Sequence, residues 1–204
     1  MASSTPEQPG RPGAVLTAPS PWNIANALTL LRIALVPLFA WLLLSQGGHE
    51  PLWRIGAFLV FLVAILTDRV DGQVARKRGL VTNVGKIADP IADKALTGMA
   101  FVGLSIIGDL SWWVTGVVLA REWLITLVRL LVIRHAVMAA SRGGKLKTVL
   151  QAVALCAYLL PVSGPLHLVA VVAMAAAVIV TVVTGVDYLV QAARLRFRHG
   201  GESS

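Results

Sequence analysis

Cysteine occurs once in the 204 residues, at Cys156 inside an apolar stretch, which excludes a disulfide framework and a cysteine-based metal site. The four histidines, His49, His135, His167 and His199, show no ligand spacing, so no zinc centre is expected either. Charge is scarce. Only 14% of residues are Asp, Glu, Lys or Arg, against 56% hydrophobic and a mean hydropathy of +0.76. That balance excludes an ordinary water-soluble domain and leaves a membrane protein. There is no internal repeat and no nucleic-acid-binding motif, although the net charge is +8. A basic n-region and a cleavage site are also missing, so no signal peptide is expected.

Apolar stretches run near residues 24 to 44, 55 to 67, 95 to 108, 110 to 134, 149 to 162 and 166 to 190. They predict an all-α, polytopic membrane protein with six transmembrane helices. The second and third stretches are short: 13 residues, Ile55 to Thr67, give roughly 20 Å of a hydrocarbon core roughly 30 Å thick. These helices therefore span only if they continue into the polar segment between them. Residues 1–21 carry Pro6, Pro9, Pro12, Pro19 and Pro21 and read as a disordered tail, residues 22–197 as the membrane domain, and 198–204 as a short second tail. Arg69, Arg76, Lys77, Arg78 and Lys86 lie between helices two and three, and Arg134, Arg142, Lys145 and Lys147 between four and five. The opposite connections offer only Arg54. The positive-inside rule then places both termini and the 2–3 segment on the cytoplasmic side of the plasma membrane, where a basic face suits anionic membrane lipids and phosphorylated substrates.

Acids are the scarcer sign, 10 against 18 basic residues, yet four of them fall within Asp68 to Asp93 in the pattern D-x-x-D-G-x-x-A-R, eight residues, G-x-x-x-D-x-x-x-D. Four carboxylates in one membrane hairpin repel each other unless cations compensate them. Asp68 and Asp71 are three apart and Asp89 and Asp93 four apart, so each pair shares a helix face. Two antiparallel helices would bring the pairs to one depth as an all-oxygen cluster suited to two Mg²⁺ or Mn²⁺ ions. Gly72 and Ala75 leave room for a ligand to approach the backbone, and Arg76 offers a cation to a diphosphate. Gly85 is expected to cap the turn into helix three. The bland alternative, a solvated loop whose acids balance Arg69, Arg76 and their neighbours, suits any one aspartate. It fails for the whole pattern, which eight specified residues match by chance on the order of 10⁻¹⁰ per start position.

These residues resemble the signature of the CDP-alcohol phosphatidyltransferase family, with Asp68, Asp71, Gly72, Ala75, Arg76, Gly85, Asp89 and Asp93 filling every defined position. The resemblance implies a six-helix membrane enzyme, homodimeric, that moves a phosphatidyl group from a CDP-linked lipid to an alcohol and releases CMP. It further implies that Asp68, Asp71 and Asp89 hold the metals, that Asp93 joins them and acts as general base, and that Gly72, Ala75 and Arg76 line the CDP site. Direct attack is favoured, since no Ser, Cys or His stands beside the aspartates as a nucleophile.

The acceptor must be chosen elsewhere. Arg121, Glu122 and Arg129 lie within the fourth apolar stretch, where intramembrane charge marks a candidate phosphate pocket with Glu122 orienting an arginine. Lys145 and Lys147 follow in G-G-K-L-K-T, and Asn23, Asn26, Thr29 and Arg32 enter helix one at near-helical spacing. The plain alternative is that Arg121 and Glu122 pair with other helices and the lysines are interfacial. Together the segments resemble the bacterial branch of the family that takes glycerol 3-phosphate as acceptor and CDP-diacylglycerol as donor. Phosphatidylglycerol, the acceptor of a cardiolipin synthase, is the competing choice within the family. A cation transporter is the competing class, disfavoured because the carboxylates lie at one membrane edge and no repeat accompanies them.

Overall fold

The computed structural model describes residues 24–78, 83–132, 142–162 and 164–200, and all of its long elements are helices: α1 Ile24–Leu44, α2 Pro51–Arg78, α3 Asn83–Ile106, α4 Trp112–Val132, α5 Arg142–Leu159 and α6 Pro165–Gly200. The N-terminal tail expected over residues 1–21 lies outside the described residues. No strand occurs among those described. Proline opens α2 and α6, at the position where its missing N–H costs nothing. Pro37 falls inside α1.

The two short apolar stretches belong to long helices. α2 has 28 residues and α3 has 24, about 42 and 36 Å at the helical rise, because both continue through the aspartate segment as the span length demanded. Gly85 is the third residue of α3, so it does not cap the turn as expected; the helix is already under way from Asn83, a residue type favoured at helix starts. At the other end α6 continues through Gly200, past the expected membrane-domain limit at 197, because Gln191 to Arg198 contains no helix breaker. By length and composition, Ala27–Gly48 and Pro165–Gln191 can each cross a membrane, and Pro51–Thr67 and Leu146–Leu159 are shorter apolar segments.

The interior alternates small and large side chains. Ala57, Phe61 and Ala64 on α2, Leu96, Ala100 and Leu104 on α3, and Ala170, Met174 and Ala177 on α6 recur at three- and four-residue spacing and are fully or almost fully buried. Phe39 of α1 meets Phe61 with ring centroids 5.5 Å apart. Small residues let the helices approach: a Cβ added at Gly103 of α3 would stand 2.6 Å from Leu43 Cδ2 of α1. The outer face is apolar as well, with Leu30, Leu59, Val63, Leu66, Val172, Ile179 and Val183 all more than half exposed. Such a surface is suited to lipid and would be an aggregation liability in water.

The helices run alternately up and down, so the connections fall at two ends. At one end the turn after α1, the start of α2, the turn after α3 and the end of α5 meet around Arg54. Its guanidinium pairs with Asp109 and donates to the carbonyls of Gly48 (3.5 Å), Leu159 (3.4 Å) and Tyr158. Gly48, at φ +80°, is required there because an added Cβ would collide with the Ile107 side chain. Trp41 and Trp53 stack edge to face nearby, centroids 5.2 Å apart, and Trp112 and Trp113 are exposed at the start of α4, as an interfacial belt would place them.

Candidate active site

Toward the opposite end, five helices enclose a cavity of about 120 Å³ whose walls carry both apolar and charged side chains. α1 contributes Arg32, α2 Phe61, Ala64 and Ile65, α3 Asp93, Lys94 and Thr97, α4 Glu122 and Trp123, and α5 Lys147 and Gln151. Arg32 and Lys147 fall in the first halves of α1 and α5, whereas Asp93, Glu122 and Gln151 fall near the midpoints of α3, α4 and α5. Three cations and two acids thus share one recess. Arg32 is 2% exposed and Lys147 6%, so their charges are set inside protein rather than in bulk solvent.

Asp93 is the one signature aspartate whose side chain is described, and it lines this cavity while remaining accessible. Asp68 and Asp71 sit four and seven positions beyond the buried Ala64 on α2, the repeat that keeps one helix face, and Asp89 lies one turn before Asp93 on α3. The side chains of Asp68, Asp71, Gly72, Ala75, Arg76 and Asp89 lie outside the described residues, as do those of Asn26, Arg129 and Lys145. Among the described side chains no three acids, histidines or cysteines gather as a metal site. The signature itself is a set of carboxylates, and the described cavity lining adds no His or Cys, so its donor chemistry fits a hard, oxygen-preferring cation.

Lys94 follows Asp93 directly and reaches across to α4. Its ammonium donates to Thr126 Oγ1 and to the Glu122 carbonyl (3.4 Å), and lies 5.6 Å from the centre of the Trp123 ring. These contacts tie the segment of α3 that carries Asp93 to α4. The sequence offered no reason to single out Lys94, Thr126 or Trp123. Lys94 looks like one more basic residue beside the signature, and Trp123 is half a helix away from the span ends where tryptophan is informative.

Glu122 is the hub of the second half of the site. Its Oε1 accepts from Arg121 Nη1 at 3.2 Å and from Lys147 Nζ. Arg121 turns toward α6, donating to the Thr181 carbonyl at 3.2 Å and to Thr184 Oγ1 at 3.1 Å. It is not among the residues lining the cavity. The expected partnership of Glu122 with an arginine is present, and so is the helix-pairing role weighed against it. Gln151 of α5 donates to Thr181 Oγ1 at 3.0 Å, which completes a polar seam from α4 through α6 to α5. Thr181 accepts at its carbonyl while its hydroxyl donates back to Ala177 at 2.6 Å, so the seam leaves few polar groups unsatisfied. Thr29, a sequence candidate, is 3% exposed in α1, one turn before Arg32. Asp187 accepts from Gln191 Nε2 at 2.8 Å on the outside of α6.

Comparison with known proteins matches this sequence to one family. Residues 22–183 match the family model described as CDP-alcohol phosphatidyltransferase. A probable phosphatidylglycerophosphate synthase of Mycobacterium tuberculosis is 54% identical over 172 residues, covering 84% of this chain and 82% of that protein. The CDP-diacylglycerol–glycerol-3-phosphate 3-phosphatidyltransferase of Bacillus subtilis is 38% identical over 181 residues, covering 82% and 93% respectively. The Escherichia coli protein of the same description is 37% identical over 140 residues, covering 66% and 75%. With the aspartate signature complete, a polar recess behind it and most of its length matched, this chain belongs to the CDP-alcohol phosphatidyltransferase family.

Proposed function

We propose that this enzyme transfers the phosphatidyl group of CDP-diacylglycerol to the primary hydroxyl of sn-glycerol 3-phosphate, giving phosphatidylglycerophosphate and CMP for phospholipid synthesis. The observation that carries this reading is the recess in which Asp93 shares a wall with Arg32, Lys94 and Lys147. A base and a set of buried cations in one small cavity suit an acceptor that carries both a hydroxyl and a phosphate. The described relatives from B. subtilis and E. coli carry this acceptor in their names.

The family is generally dependent on divalent metal. In this chain Asp68, Asp71, Asp89 and Asp93 would hold Mg²⁺ or Mn²⁺, two ions by the number of carboxylates. Bound there, the metal supplies charge to the diphosphate and to the departing CMP. The protein does the rest. Gly72 and Ala75 give the cytidine diphosphate a close approach to α2, and Arg76 neutralises one of its phosphates. Asp93 takes the proton of the acceptor hydroxyl as that oxygen attacks the β-phosphorus, the one esterified to diacylglycerol, and the bond to the CMP oxygen breaks. Lys147 holds the acceptor phosphate away from the reacting centre, with Lys145, Arg121 and Arg129 assigned to the same task, and Arg32, with Asn26 and Thr29 as further candidates, serves the α1 side. Lys94 fixes the register of Asp93 against α4.

The six apolar stretches support six spans in the plasma membrane, and the basic 2–3 and 4–5 connections support a cytoplasmic active site with both termini on that side. A site at that membrane edge suits a donor whose acyl chains stay in lipid while its head group meets water. A homodimer completes the proposal, on family resemblance. CMP release by the purified protein, assayed with each acceptor in turn, tests the acceptor. Release dependent on glycerol 3-phosphate is expected, and equal release with phosphatidylglycerol would exclude the assignment.

A further inference from the structure

The Lys147 side chain is 8% exposed, and in this structure the partner of its ammonium is a carboxylate of the protein itself. Glu122 Oε1 sits between Lys147 of α5 and Arg121 of α4, a single anionic oxygen held by two cations at the wall of the cavity. Arg121 has further acceptors on α6, at Thr181 and Thr184, that keep it in place without Glu122. Glu122 has a different freedom: its side chain is 23% exposed and it borders the recess. A phosphate oxygen approaching Lys147 would meet the Glu122 carboxylate at its destination. Two anions on one ammonium repel each other, so one of them must withdraw.

We infer that Glu122 is an internal stand-in for the acceptor's phosphate: it neutralises Lys147 while the recess is empty and swings away when a phosphate monoester binds. The inference rests on the proposed reading of Lys147 as a phosphate ligand. Two physical consequences support it. A buried ammonium without a counter-ion is costly, so a chain that keeps Lys147 charged needs an anion there between turnovers. A carboxylate that returns to Lys147 also opposes retention of the product, whose free phosphate monoester is the same chemical group as the acceptor's. The stand-in therefore weakens binding of acceptor and product alike, holding affinity below what the cations alone would give. A neutral alcohol cannot displace Glu122, so it meets a recess whose α5 cation is already taken.

The test compares binding of sn-glycerol 3-phosphate to the full chain in detergent with Mg²⁺, by calorimetry, for the wild type, Glu122→Gln and Lys147→Gln. Glutamine keeps the shape and an accepting oxygen but removes the competing charge. Expected is roughly tenfold tighter binding in Glu122→Gln, the size of one charge-assisted hydrogen bond no longer opposed. Lys147→Gln is expected to bind at least tenfold more weakly, and CDP-diacylglycerol affinity should be unchanged in both, which also reports the fold. Weaker or unchanged binding in Glu122→Gln, with Lys147→Gln weakened, would overturn the stand-in and make Glu122 a fixed support for Lys147. Unchanged binding in Lys147→Gln would instead overturn the acceptor pocket on which the inference rests.

Discussion

Arg54 and Lys147 are both buried cations of one helical bundle, and they differ in what they are given to hold. Arg54 also borders a recess, beside Asp109, Tyr158 and His167, but Asp109 and three main-chain carbonyls, from three segments in all, already accept from every nitrogen of its guanidinium. Lys147 has one side-chain anion, Glu122, and borders a cavity that also receives Arg32, Lys94 and Asp93. The first arrangement closes an end of the bundle. The second gives a cation at a cavity wall a single side-chain partner, which leaves donors for something else to bind. Burial alone would have grouped the two; the identity of the acceptors separates them.

This contrast can be broken at four points. Asp93→Asn should have the largest effect, removing the base and one metal ligand; CMP release is expected to fall on the order of 10²–10⁴-fold, with folding in detergent retained. Activity within a few fold of wild type would remove Asp93 from the chemistry. Next is Arg54→Met, which strips the far end of its clamp and leaves Asp109 without a partner. A stability loss of about 3 kcal/mol is expected in thermal unfolding, with the acceptor KM of the protein that remains folded unchanged. A shifted KM at native-like stability would contradict the assignment of Arg54 to structure. Lys147→Ala should show the reverse signature, a rise of roughly tenfold or more in the KM for glycerol 3-phosphate and little change for CDP-diacylglycerol. The smallest effect belongs to Gln151→Leu, which removes the hydrogen bond to Thr181 and should cost about 1 kcal/mol of stability. A loss of acceptor affinity larger than that of Lys147→Ala would show that Gln151, not Lys147, is the contact that matters.

The same contrast explains how much was legible in the sequence. The six helices follow from apolar runs, and the long α2 and α3 follow from the arithmetic of span length. The aspartate signature is visible because its spacing is local: i, i+3 and i, i+4 relations are helix properties and survive in one dimension. Gly85 was misread because a glycine near a turn resembles a cap until the helix start is known, and Asn83 supplies that start. Lys94 to Thr126, Gln151 to Thr181 and Arg54 to the Leu159 carbonyl join residues 30 to 105 positions apart. No periodicity records such pairs. Arg121 and Arg54 show the limit most clearly, since each is an arginine flanked by apolar stretches, and only the carbonyls and hydroxyls that the fold brings to them reveal that both are substantially occupied by protein.

The most direct measurement is CMP release from CDP-diacylglycerol by the purified chain with Mg²⁺, with glycerol 3-phosphate, phosphatidylglycerol, inositol phosphate or no acceptor, for the wild type and Asp93→Asn. Release with glycerol 3-phosphate alone, lost in the variant, is the predicted result. Release with another acceptor, or equal release by the variant, would contradict it.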